Sequence, residues 1–195
     1  MFNVRFHGRG GQGAVSAAMM LSVAAFDEGH HAQAFPTFGS ERTGAPVVAF
    51  CRISDEPIRG HEPVDVPDAL VVQDPTLVHQ VRLFEGVHPD AFVVVNTGRP
   101  LADLGLAELV DRALPGRWVS VAGTEMARER LGRPLPNTAL LGAFAALTGV
   151  VGLDGVVGAI RQRFDGETAE ANVAVATAAF QTVAALRCGE QVRSA

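Results

Sequence analysis

Four glycines fall within six residues of the stretch FHGRGGQGAV, residues 6–15: Gly8, Gly10, Gly11 and Gly13, with Arg9 and Gln12 between them. The spacing satisfies G-x-G-x-x-G. Directly after a short apolar run and before an Ala-rich one, this pattern brings backbone N–H groups to the start of a helix, where a phosphate or another anion binds. Glycine serves there because it accepts unusual dihedral angles and lets a ligand come close to the backbone. The dinucleotide form of the motif expects an acid about 20 positions on, to hold a ribose. Here that region reads HAQAFPTF, and Asp27 and Glu28 come too early. NAD(P) is therefore disfavoured, and an anionic or phosphate-bearing group is the expected ligand. The alternative is that the glycines serve only close packing of helix on sheet.

Other reactive residues offer less. His7 stands at the end of the strand before the glycine loop, where it could hydrogen-bond an anion or simply pack. His30 and His31 are adjacent, so on a strand they face opposite sides and cannot easily share one metal. Cys51 sits in the apolar run VVAFCRI and reads as a buried strand residue. All the basic residues are arginine and none is lysine, which excludes a Schiff base or a P-loop lysine. Spacing alone supports no nucleophile–base pair.

The elements that hold the loop follow from hydrophobic period. Residues 2–7 read as a buried strand and 14–28 as a helix so apolar that it should be covered on most sides. Further strands are expected at 31–35 and 46–53, and at 68–74, 91–96 and 117–123, where each is a short β-branched run bounded by turn residues. Helical patterns at 75–84, 106–114 and 124–132 fill the gaps. That alternation implies a three-layer α/β, Rossmann-like sandwich with a mostly parallel sheet. From Asn137 the strand signal ends, and three helices follow in 137–150, 153–164 and 170–187. With no flexible linker before them, residues 1–195 read as one domain, an α/β core over 1–136 with a helical part over 137–188 packed on it.

Composition narrows the function classes. A net charge of −5 with singly scattered arginines argues against nucleic acid. No apolar run approaches the roughly 20 residues that span a bilayer. The N-terminus lacks the basic, apolar and small-residue order of a secretory signal, so a cytoplasmic protein away from membranes is expected. Two cysteines, Cys51 and Cys188, cannot supply the four thiolates an iron–sulfur cluster usually takes.

Taken in order, GRGGQGAVSAA, AQAFPTFGSERTGAPV, VVQDPTL, VVVNT and GRPLPNTALLGAFAALTG closely resemble the gamma subunit of 2-oxoacid:ferredoxin oxidoreductases, the family of pyruvate:ferredoxin oxidoreductase. The resemblance covers almost the whole chain. It implies a subunit inactive alone, within an enzyme that converts a 2-oxoacid to an acyl-CoA by CoA-dependent oxidative decarboxylation and passes electrons to ferredoxin or another acceptor. It implies thiamine diphosphate held by the alpha and beta subunits, iron–sulfur clusters by the beta and delta subunits, and a gamma subunit that helps receive coenzyme A. Carried onto this sequence, the loop Gly8, Arg9, Gly10, Gly11, Gln12 and Gly13 matches the family's glycine-rich motif, with Arg9 and Gln12 able to meet a phosphate or a partner loop. Asn137 matches an Asn-Thr pair near the same pocket, and it is equally suited to cap a helix starting at Thr138. Arg42 could pair bidentately with a phosphate or carboxylate, or Glu41 and Arg42 could form an inter-subunit ion pair or a solvated loop. The family commonly has an arginine where Thr43 stands, so two adjacent arginines are not expected here. A purely architectural subunit, or a free-standing nucleotide-binding reductase, are the rival readings.

Overall fold

The β-branched runs become six strands in the computed structural model, which describes residues 1–37 and 44–193, with side chains as far as 188. They are β1 (Phe2–Arg9), β2 (His31–Pro36), β3 (Pro46–Ser54), β4 (Ala69–Val72), β5 (Phe92–Asn96) and β6 (Trp118–Val121). The helices are α1 (Ala14–Asp27), α2 (Ala107–Arg112), α3 (Gly123–Leu131), α4 (Asn137–Thr148), α5 (Leu153–Arg163) and α6 (Gly166–Arg193). The strands form one sheet in the order β2-β3-β1-β4-β5-β6. β3 runs antiparallel to both neighbours, while β1, β4, β5 and β6 pair in parallel. The α/β architecture with a mostly parallel sheet and C-terminal helices packed on it is thus as expected.

Strand period two sorts side chains between two unequal layers. Val4, Phe6, Cys51, Val71 and Val94 face α1, α4, α5 and α6 and form the larger core. α4 lies at its centre with every residue buried except Thr148. Each fully buried large apolar side chain there, such as Leu140 or Phe144, stabilises by about 1.5–3 kcal/mol. The opposite face, with Leu70, Val72, Val93 and Val95, is covered by Leu77, Leu83, Leu104 and Leu106 from short turns and loops, with partly buried side chains such as Phe84 and Leu109 and Val110 of α2 packed beside them. α6 is long and apolar enough over Gly166–Cys188 to cross a bilayer by length and composition. It nevertheless sends Val175, Ala176, Ala179 and Val183 into the larger core.

Two expectations need correction. Residues 75–84 do not form a crossover helix; only a 3₁₀ turn at Pro75–His79 appears. The reason is tertiary. Arg5 of β1 is buried, and its Nη2 donates to the carbonyls of Leu83 (2.8 Å) and Glu85 (2.7 Å), which ties the end of the segment down, while Leu77 and Leu83, six residues apart and so not on one face of a helix, both enter the smaller core. Arg5 Nη1 donates to Val64 and Asp65 carbonyls, both at 3.3 Å. Second, a stretch of spanning length and composition does exist, Gly166–Cys188 of α6; α1 is covered on most sides as expected, with only Met19, Phe26 and Asp27 exposed.

Arg5 holds two loops by carbonyls alone. Burial lowers its pKa from the ordinary value, with Asp65 and Glu85 opposing the shift. An ammonium cannot reproduce this planar fork. Arg5→Lys is therefore expected to cost about 2 kcal/mol in urea unfolding, and a neutral result would show that the fork is dispensable.

Candidate anion-binding site

The turn after β1 is shaped by its glycines. Gly11 and Gly13 have φ of +95° and +79°, conformations that only glycine adopts cheaply. No atom lies within 4 Å of where a Cβ on Gly11 would stand, so the backbone there borders open space. Gly13 forms the N-cap of α1. A Cβ on it would come within 2.8 Å of Asn137 Nδ2, so the loop and α4 meet at that point without a side chain between them.

Beside this contact lies a cavity of about 460 Å³. Gly11, Gly13 and Ser16 bring the first turn of α1 to it, Asn137 that of α4, and Glu167 and Thr168 that of α6. Three helix N-termini therefore set partial positive charge around one space. Arg130 and Arg133 add formal positive charge at the rim, offset in part by the Glu167 carboxylate of the lining and by Glu129, 3.7 Å from Arg130, and Leu131, Leu135 and Phe164 supply apolar wall. Such a donor set suits a phosphate-bearing ligand with an apolar or aromatic part. A buried brace keeps α4 and α6 in place: Thr138 Oγ1 donates to Asn172 Oδ1 (3.0 Å), and Asn172 Nδ2 donates to the Thr168 carbonyl (2.8 Å).

Gly11, Gly13 and Asn137 line the cavity, whereas Gly8, Arg9, Gly10 and Gln12 do not. Gly8 is buried against Gln73, whose Oε1 would be 3.0 Å from a Cβ there. Arg9 and Gln12 turn to Asp74 instead, at 3.1 and 2.7 Å. Arg42, with Glu41 and Thr43, lies outside the described residues. Asn137 does not cap α4: it is the first helical residue, Pro136 takes the cap position, and the Pro136 carbonyl accepts the Leu140 N–H at 2.9 Å. Arg130, Arg133, Ser16 and Asn172 were not legible as site residues. The one sequence signal among them is Asn172, an amide directly before the apolar stretch VAVATAAF of α6.

Away from the cavity, His30 pairs with Asp55 at 2.9 Å on the surface. Cys51 is buried in β3, and burial raises its thiol pKa far above the ordinary value. Cys188 is exposed, and among the described residues no three His, Cys, Asp or Glu side chains form a metal-ligand group.

A mostly parallel six-stranded sheet with helices packed around it defines a Rossmann-like α/β protein, and the first turns of three helices meet at one cavity beside it. The family model described as pyruvate ferredoxin/flavodoxin oxidoreductase matches residues 3–182. The chain belongs to that family, as a chain of the gamma-subunit type. It is 46% identical over 181 residues to the pyruvate/ketoisovalerate oxidoreductases common subunit gamma of Pyrococcus abyssi, covering 93% of this chain and 96% of that one. The crystal structure of pyruvate oxidoreductase subunit PORC from Thermotoga maritima superposes with a TM-score of 0.78 at 35% identity, covering 92% of this chain and 95% of that one. The same fold occurs in a 2-oxoglutarate:ferredoxin oxidoreductase from Magnetococcus marinus, solved with 2-oxoglutarate, coenzyme A and succinyl-CoA bound, at a TM-score of 0.72. That likeness has 17% identity and covers 95% of this chain and 31% of the other, so it speaks to the fold alone. The expectation of a subunit of a multi-subunit 2-oxoacid oxidoreductase is borne out.

Proposed function

We propose that this chain supplies the coenzyme A side of the active site in a cytoplasmic 2-oxoacid:acceptor oxidoreductase, and that it is inactive alone. The observation that carries the reading is the cavity in which the first turns of α1, α4 and α6 meet Arg130 and Arg133. Coenzyme A carries a pyrophosphate and a ribose phosphate, which match that positive field, and its adenine and pantetheine match the apolar wall. Backbone N–H groups at Gly11 and Gly13 would bind phosphate oxygens, Arg130 and Arg133 would neutralise them, and Asn137 would orient what lies over the loop. Thiamine diphosphate, in the alpha and beta chains, supplies the decarboxylation chemistry. Iron–sulfur clusters in the beta and delta chains carry electrons to ferredoxin or another acceptor. The two distant cysteines of this chain fit that division, since they do not form a cluster's ligand set. Exposed Met19 and Phe26 on α1 offer an apolar surface of the kind a partner chain covers.

The test is the assembled complex carrying Arg130→Gln and Arg133→Gln. KM for coenzyme A should rise about 30-fold, which corresponds to ~2 kcal/mol of lost phosphate binding. KM for the 2-oxoacid should stay unchanged. An unchanged KM for coenzyme A would remove this cavity from the reading and favour a purely architectural subunit.

A further inference from the structure

Arg9 and Gln12 stand in the glycine loop, yet their side chains fold back into the protein. Gln12 Oε1 accepts the Arg9 backbone N–H at 2.8 Å, and Gln12 Nε2 donates to Asp74 Oδ2 at 2.7 Å. The Gln12 backbone N–H donates to the Arg9 carbonyl at 3.0 Å, so this turn is closed by both backbone and side chain. Arg9 Nε donates to Asp74 Oδ2 at 3.1 Å, Nη1 to the Gly44 carbonyl at 3.0 Å, and Nη2 to Thr76 Oγ1 (2.8 Å) and Gln80 Oε1 (2.7 Å). Little of the guanidinium is left for a phosphate.

We infer that Asp74, Arg9 and Gln12 are a positioning unit that fixes Gly10–Gly13 before the ligand arrives, rather than ligand contacts. The inference rests on the coenzyme A reading of the cavity. Asp74 sits two residues beyond the end of β4, and its Oδ1 is held by the Thr76 N–H (2.9 Å) and Oγ1 (2.6 Å). It is therefore a fixed post. Gly10 is tied from the other side, with its N–H on the Ala45 carbonyl (2.9 Å) and its carbonyl on the Gly44 N–H (3.0 Å). With both flanks of the turn held, Gly11 and Gly13 keep the left-handed dihedrals that border the cavity. A glycine-rich loop is costly to order because glycine has the most backbone freedom to lose. When folding has already ordered it, binding does not bear that cost.

The residue types carry the argument further. The bridge needs a neutral donor–acceptor at 12 and a carboxylate at 74, because Gln12 must both accept from Arg9 and donate to Asp74. A glutamate at 12 would set two carboxylates against each other. Moving the charge from 74 to 12 removes that repulsion and lets an amide at 74 donate to a carboxylate at 12, but the amide N–H then faces Arg9 Nε, so the swap restores the bridge only in part.

The experiment uses the assembled complex with Gln12→Glu, Asp74→Asn and the double variant, with the Arg130→Gln, Arg133→Gln complex alongside. Gln12→Glu should raise KM for coenzyme A about 10-fold, with kcat at saturating coenzyme A and KM for the 2-oxoacid little changed. Asp74→Asn should raise it several-fold, and the double variant should be clearly less impaired than the product of the two single effects, without reaching the parent, because the Arg9–Asp74 ion pair stays lost. Rescue by the swapped pair supports the positioning unit, because simple disruption of the loop would add rather than cancel. If the arginine variant shifts KM while Gln12→Glu does not, the positioning unit is wrong and the coenzyme A reading stands. If neither shifts it, both fall. If the single variants lower kcat and affect both substrates alike, without rescue, the three residues serve the fold only.

Discussion

In urea titrations of the isolated chain, His7→Leu is expected to abolish most of the stability loss that the parent chain shows between pH 6.5 and pH 3. His7 lies on β1 between Val48 and Val72, is 7% exposed, and its Nε2 has no hydrogen-bond partner among the described residues. Burial first, and the nearby Arg5 charge second, push its pKa down to about 3. In the unfolded chain the imidazole titrates near 6.5. Between these values the unfolded state binds a proton that the folded state does not, so stability rises with pH and is lost on acidification. At ~1.4 kcal/mol per unit over about 3.5 units, the loss approaches about 5 kcal/mol. Asp74 acts in a lower window. Burial opposes the shift, but hydrogen bonds from Thr76 and Gln12 and the Arg9 charge hold its carboxyl below the ordinary value. Its contribution is present above the unfolded pKa near 3.9 and fades only as pH falls through the folded one. A leucine variant that kept the parent's slope between pH 6.5 and 4 would show that His7 takes up its proton without unfolding.

β3 to β6 were legible because each is a short β-branched run, whereas β1 has one β-branched residue and β2, HAQAFP, has none and is only partly buried, so both were legible mainly from their place on either side of the α1 pattern. The stretch 75–84 was not, because its apolar spacing is helical while Arg5, nearly eighty residues earlier, holds its end by the Leu83 and Glu85 carbonyls. The site shows the same division. Gly11 and Gly13 are visible from dihedral demand, and Asn137 from its place in PNTALLG. Arg130 and Arg133 come from the end of α3 and the turn after it, and nothing in their local sequence separates them from the other arginines. Arg9 and Gln12 illustrate the opposite error. Their position in the loop suggests ligand contact, but Asp74 of VVQDPTL, at the carboxyl end of the neighbouring strand, takes both. An acid between a buried strand and a proline was the available signal, since it both caps the turn and meets whatever leaves the adjacent strand.

Gly142→Ala should destabilise the chain by about 3 kcal/mol, although helix propensity alone favours alanine by about 1 kcal/mol. Gly142 lies in the middle of α4, where it crosses α6. A Cβ there would collide with the Ala176 carbonyl oxygen and stand 3.0 Å from its Cα. These are backbone atoms of α6 at a fully buried residue, and no rotamer change can move them away. Ala176→Gly should therefore fail to rescue the variant, whereas a side-chain clash would be relieved by that truncation. The consequence reaches the cavity. α4 carries Asn137 against Gly13 and Thr138 against Asn172. Any outward shift of α4 separates the glycine loop from the first turn of α6, so surviving complex should bind coenzyme A more weakly as well as unfold earlier. A Gly142→Ala chain as stable as its parent would mean that α4 and α6 are held less closely than this crossing requires. A destabilised chain with unchanged KM for coenzyme A would separate the crossing from the site.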